Sequence, residues 1–233
     1  MAVLASNPKI LILAFLGGII PSFLWLWFWM KEEENPEPKG LLAIVFIMGM
    51  LAVAIVLPVQ KLIQSYVGSQ GIELILWASA EEILKYLAVL IILYKTNYAD
   101  EPVDWPIYLI TAALGFAALE NAFFLIKPFF ANETTSLVAI ASLGQLRFLG
   151  STLLHTVSSG TIGIAMGLSF YMEKWKKKWY LFIGFLVAIA LHSVFNFFII
   201  KNNGNDFLKV FAFLWVVTII IMLLFEKVRR MSE

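Results

Sequence analysis

Apolar runs recur along the whole chain, each of about 20 residues and so long enough to cross a hydrocarbon core of roughly 30 Å at about 1.5 Å per residue. They lie near Ile10–Met30, Leu41–Val59, Ile72–Tyr94, Trp105–Ile126, Phe148–Met172, Trp179–Ile200 and Phe207–Phe225. Of the 233 residues, 61% are hydrophobic and only 14% charged, a composition that excludes a soluble globular domain. Main-chain polar groups in lipid must bond to one another, and these runs are too long and continuous for barrel strands. The expectation is an all-α, polytopic transmembrane helical bundle of seven spans. An eighth follows if the polar-flanked stretch 136–147 enters the membrane separately.

The first run ends in Trp25, Trp27 and Trp29 with no small-residue cleavage site behind it. That pattern reads as a retained span with an aromatic belt and not as a signal peptide. With seven spans and the C-terminus inside, the inner segments hold ten Lys and Arg residues, including Lys174, Lys176, Lys177 and Lys178, against five outside. The positive-inside rule then gives a multi-pass plasma-membrane protein with its N-terminus outside and its C-terminus cytoplasmic. The basic stretch Glu173–Lys178 reads as an inner loop near anionic lipid, and Lys31–Pro38 as a polar, proline-stiffened loop. A net charge of +1 gives no hint of a nucleic-acid partner, and the absence of cysteine excludes disulfides and thiolate chemistry. Asn132-Glu133-Thr134 matches a glycosylation acceptor pattern.

Ionisable groups inside the spans are expensive, at roughly 2.5–3.5 kcal/mol each even on the lenient insertion scale, so they mark function by default. Here they are Glu81, Glu82, Lys85, Glu120, Arg147, His155 and His192, with the amide Asn196 one turn beyond the last. In the orientation above, Glu81, Glu120, His155 and His192 all fall about 10–15 Å below the outer surface. Four helices contributing at one depth predict one site, open to the extracytoplasmic side.

Glu81, Glu82 and Lys85 share a single helical turn, with Glu81 and Lys85 on one face and Glu82 about 100° round. Lys85 is expected to hold one carboxylate as an anion, leaving the other for proton transfer. Glu120 and its neighbour Asn121 follow Gly115 and Phe116, on a helix whose small residues admit close approach by another. Arg147, Ser151 and His155 recur every fourth residue and draw a polar stripe that continues near Ser158 and Ser159. Arg147 lies near the interface, where it is free to snorkel. His192 and Asn196 face one cavity and could both donate to a developing oxyanion. His155, His192 and a glutamate such as Glu120 form a set that zinc accepts, although no His-Glu-x-x-His is present.

The ordered set Gly18-Ile19-Ile20-Pro21, Asn35-Pro36-Glu37-Pro38, Glu81-Glu82-x-x-Lys85, Gly115-Phe116-x-x-x-Glu120-Asn121, His155 followed by Gly160, Gly163 and Gly167, and His192-x-x-x-Asn196 resembles the PrsW family of intramembrane proteases. That family is related to the CAAX prenyl endopeptidases. The resemblance runs from about residue 10 to 200 and implies a single transmembrane catalytic domain over residues 1–233. It implies hydrolysis of a membrane-anchored protein near the extracytoplasmic face, of the kind that starts anti-sigma-factor processing. Carried over, Glu81 or Glu82 is the base, Glu120 or His155 assists it, and His192 with Asn196 forms the oxyanion hole. Lys85, Asn121, Arg147 and Ser151 support them. Both metallo- and glutamate-type mechanisms stay open, with zinc the admissible metal and His155, His192 and Glu120 its candidate ligands. The rival reading is a proton- or cation-coupled transporter using the same buried groups, and a second rival is a scaffold in which they only bond helices together.

Overall fold

A computed structural model describes residues 8–31, 36–94, 96–130, 148–201 and 207–231. Every regular element in it is helical: α1 (Pro8–Met30), α2 (Lys39–Tyr66), α3 (Gln70–Leu93), α4 (Asp104–Phe130), a π-helical turn (Phe148–Thr152), α5 (Leu153–Leu168), α6 (Lys174–Lys201) and α7 (Phe207–Arg229). Arg147, the stretch 136–147 and Asn132 lie outside the described residues.

Among the described residues, five helices (α1, α2, α4, α6 and α7) are long and apolar enough to cross a membrane. The two that are not have clear physical reasons. α3 carries Glu81, Glu82 and Lys85 across its middle, and α5 is 16 residues long, about 24 Å of helix. These are the two helices richest in the polar groups picked out above. The seven apolar runs thus become seven helices, with changed ends. α2 continues past Val59 through Pro58's turn to Tyr66, and the fifth run opens as the π-helical turn. The basic cluster expected as a loop is instead the first turn of α6, which begins at Lys174. Lysines there oppose the positive end of the helix dipole, so it is the apolar run behind them that keeps this turn helical.

α4 is the central helix, packed by α1, α2, α3 and α5. Its small residues explain why. A Cβ on Gly49 of α2 would collide with the Ala112 carbonyl oxygen of α4, and one on Gly115 with the Phe46 carbonyl oxygen of α2. The two backbones therefore touch at reciprocal glycines, the close approach that membrane helices use in place of a hydrophobic driving force. Gly49→Ala is expected to overpack this crossing, at about 1–3 kcal/mol. The thermal midpoint of the purified protein in detergent should fall by several degrees. An unchanged midpoint would mean that the crossing yields freely.

At one end of this core the loop before α2 is fastened inward. Glu37 is buried and accepts a hydrogen bond from the Tyr108 hydroxyl of α4. Burial holds its carboxyl above the ordinary carboxylate range. Glu37, in a stretch that reads as merely polar in the sequence, is therefore pinned to the central helix.

Candidate active site

α3, α4, α5 and α6 bring Glu81, Glu82, Lys85, Glu120, His155 and His192 into one cluster. Glu82 and Lys85 are 0% exposed, Glu81 4% and each histidine 2%. Groups of this kind stay buried only when they compensate one another, and here the compensation can be followed atom by atom.

Glu82 is the hub. Its Oε1 accepts from Lys85 Nζ at 2.8 Å and lies 2.8 Å from His192 Nδ1. Its Oε2 accepts from Ser159 Oγ at 2.6 Å. Lys85 thus pairs with Glu82, whereas its nearest approach to Glu81 is 3.9 Å. The helical spacing suggested Glu81 and Lys85 as the facing pair. Residues three apart are neighbours too, and the partners arriving from α5 and α6 draw Lys85 to Glu82.

Both histidines stand with one nitrogen on a carboxylate. His192 Nδ1 meets the Glu82 carboxylate and so carries a proton, which in the neutral ring leaves the lone pair on Nε2, 3.6 Å from Glu81 Oε2. Lys85 Nζ, which can only donate, lies 2.8 Å from His155 Nδ1. That fixes the single His155 ring proton on Nε2, which donates to Glu120 Oε2 at 3.0 Å. The rings stand edge to face, 5.0 Å apart, and Phe116 walls the site beneath Lys85, whose Nζ lies 4.5 Å from its ring centre.

Glu81 is arranged differently. Its Oε1 accepts from Gln60 Nε2 at 2.9 Å, while Oε2 is buried with no hydrogen-bond partner. That bare oxygen is 3.6 Å from His192 Nε2 and 3.9 Å from His155 Nδ1. Ligand atoms of Glu81, His155 and His192 all lie within 4.8 Å of one another. The set fits a divalent metal ion on three counts. An orphaned carboxylate oxygen and an imidazole lone pair converge, and a second imidazole nitrogen stands beside them. Each histidine's far nitrogen rests on a second carboxylate, the arrangement that orients metal-bound imidazoles. Glu81, Glu82 and Glu120 also outnumber the single Lys85 charge by two formal charges. His155 Nδ1 serves one cation at a time, Lys85 or a metal. The carboxylate within this three-residue set is Glu81; Glu120, named from the sequence, stands behind His155.

The remaining expected residues sit further out. Ser151 Oγ is 3.4 Å from Glu120 Oε2, a long contact. Asn121 turns to the π-helical turn, its Nδ2 donating to Thr152 Oγ1 at 2.9 Å three residues before His155. Asn196 is partly buried one turn beyond His192. Gln60 and Thr152 escaped sequence reasoning. Gln60 falls just past the apolar run that ends at Val59, and a polar residue there reads as interface. Ser159 carried a signal, since it prolongs the stripe through Ser151 and His155.

Comparison with known proteins agrees with this geometry. The family model described as PrsW family intramembrane metalloprotease matches residues 37–225. The chain is 29% identical over 170 residues to Protease PrsW of Geobacillus kaustophilus (strain HTA426), covering 72% of this chain and 70% of that protein. It is 27% identical over 208 residues to Protease PrsW of Oceanobacillus iheyensis, covering 87% and 91%, and 28% identical over 168 residues to Protease PrsW of Clostridioides difficile (strain 630). No solved structure matches. The transporter and scaffold readings give way to a multi-pass membrane peptidase, for with most of its length matched and its buried carboxylates and histidines gathered at one point, this chain belongs to the PrsW family of intramembrane metalloproteases.

Proposed function

We propose that the protein is an endopeptidase that cuts a membrane-anchored protein near the extracytoplasmic face, with Glu81 as the carboxylate that meets the reacting water. The observation that carries this reading is the buried, unpartnered Glu81 Oε2 facing His155 and His192. Glu82 cannot fill the role, because both its oxygens are already occupied by Lys85, His192 and Ser159. All seven helices are taken as spans over one domain, residues 1–233, with the N-terminus outside. The lysine and arginine asymmetry supports that orientation, in which the site lies in the outer half of the plasma membrane.

In hydrolysis Glu81 Oε2 takes the proton of the attacking water and delivers it to the departing amine nitrogen. Glu120 fixes His155, and Glu82 fixes His192, each through the ring nitrogen turned away from Glu81. Asn196 is the amide placed to donate to the oxyanion of the tetrahedral intermediate. His192 suits that donor role less well than its sequence spacing suggests, because its proton is committed to Glu82. A metal would be held by His155 Nδ1 and His192 Nε2 beside Glu81, and when bound would supply Lewis acidity to the water and the scissile carbonyl, leaving Glu81 Oε2 to take the water proton. The substrate is a transmembrane or juxtamembrane segment unwound at the cleaved bond, of the anti-sigma-factor type.

The test is cleavage of a tethered, membrane-anchored substrate by purified protein in liposomes. One zinc ion per chain is expected, with cleavage lost on chelation, restored by zinc, and no zinc retained by His192→Ala. Full cleavage by metal-free protein would remove the metal from this account and leave Glu81 acting alone. No cleavage of any membrane-anchored substrate by folded, metal-loaded protein would sink the proposal.

A further inference from the structure

We propose that Gln60 is a positioning residue for the reaction, holding Glu81 so that Oε2 faces the two histidines. The inference rests on the reading of Glu81 as the reactive carboxylate. Gln60 belongs to α2, outside every motif that carries the catalytic groups.

The geometry begins in the hairpin between α2 and α3. Gln60 lies six residues before the end of α2 at Tyr66, and Glu81 lies eleven beyond the start of α3 at Gln70. By rise alone their depths below the hairpin differ, at about 9 and 16 Å. Side chains slant toward the N-terminus of their own helix, so Gln60 leans away from the hairpin and Glu81 leans back toward it. The two meet, with Gln60 Nε2 donating to Glu81 Oε1 at 2.9 Å. Gln60 is itself clamped, since the indole Nε1 of Trp77, one turn before Glu81 on α3, donates to its main-chain oxygen at 3.2 Å.

This bond decides which way the carboxylate turns. With Oε1 held from α2, Oε2 is directed to His192 Nε2 and His155 Nδ1. A competitor waits nearby, for Lys85 Nζ is only 3.9 Å from the same Oε2. Once Gln60 stops donating, a small rotation lets the ammonium take that oxygen, and the site loses its bare acceptor. Gln60 therefore acts through Glu81 and keeps it off Lys85. It touches no reacting atom.

The experiment compares wild type, Gln60→Met, Gln60→Asn, Trp77→Phe and Glu81→Gln, with Ser65→Ala as a control on an exposed hydroxyl that bonds only the Leu62 carbonyl. Methionine keeps length and packing without the donor, whereas asparagine keeps the amide but falls one methylene short. Both variants should fold as wild type does and lose about 10–100-fold in kcat, the usual cost of losing an outer-shell partner, with KM within about twofold. Zinc affinity, read by competition with a chromogenic chelator, should weaken in parallel. Trp77→Phe should show a smaller loss in the same direction. Wild-type kcat in folded Gln60→Met would overturn the proposal, and so would a raised KM with kcat unchanged, which would make Gln60 a substrate contact. Should Glu81→Gln remain fully active, the reading of Glu81 falls and this inference with it. Should Glu81→Gln be inactive while Gln60→Met is fully active, only the role of Gln60 falls.

Discussion

Glu81→Gln should abolish proteolysis and leave the fold intact. Glutamine is nearly isosteric, and its side-chain carbonyl can still accept from Gln60. The buried ion pair with the shortest contact in the site, Lys85 with Glu82, is untouched. What disappears is the one buried carboxylate oxygen here with no partner of its own. Loss of a general base typically costs about 10²–10⁴-fold, so kcat/KM should fall within that range while the thermal midpoint holds or rises slightly. It can rise because the buried carboxylates Glu81 and Glu82, with the partly exposed Glu120 nearby, repel one another around a single lysine, and the substitution removes one of them. Cleavage within tenfold of wild type, in a variant with native stability, would exclude Glu81 as the group that activates water.

The site was legible in the sequence to the extent that lipid makes ionisable groups conspicuous. Glu81, Glu82, Lys85, Glu120, His155 and His192 stand out because each is costly in an apolar run, and all six converge in the structure. Spacing along one helix was a poorer guide to pairing. It put Glu81 and Lys85 on one face but left open which carboxylate Lys85 holds, and Lys85 goes to Glu82, which His192 and Ser159 also reach from helices that the α3 sequence does not contain. Gln60 was hidden for a related reason. A neutral amide at the end of an apolar run is cheap at an interface, and only the slant of two antiparallel helices turns it toward Glu81. The π-helical turn at Phe148–Thr152 left no composition signal, and the bond that Asn121 of α4 donates to Thr152 within it is a tertiary contact that spacing does not show. At the level of the fold, seven apolar runs foretold seven helices. They could not foretell that α4 would be central, which depends on reciprocal glycines meeting carbonyl oxygens across the α2 crossing.

Glu82→Ala should fail in the opposite way to Glu81→Gln, through the fold before the chemistry. Glu82 is fully buried, and three buried groups lean on it: the Lys85 ammonium, His192 Nδ1 and the Ser159 hydroxyl. Deleting the carboxylate leaves Lys85 charged with only His155 within hydrogen-bonding distance and Glu81 at 3.9 Å. Removing one partner of a buried pair costs about 3–5 kcal/mol, because the remaining charge has lost its solvation as well as its counterion. The variant should therefore unfold at markedly lower temperature in detergent and be cut by trypsin under conditions that spare wild type. Glu82→Gln keeps the volume and one acceptor, and its amide can turn to the Ser159 oxygen, so its destabilisation should be smaller than that of the alanine. This ordering separates an anchor from a reactive group, since an anchor loses stability in proportion to the hydrogen bonds removed, whereas a base loses turnover with stability unchanged. If Glu82→Ala proves as stable as wild type and as inactive as Glu81→Gln, Glu82 is itself a reacting carboxylate, and the division of labour between the two adjacent glutamates must be redrawn.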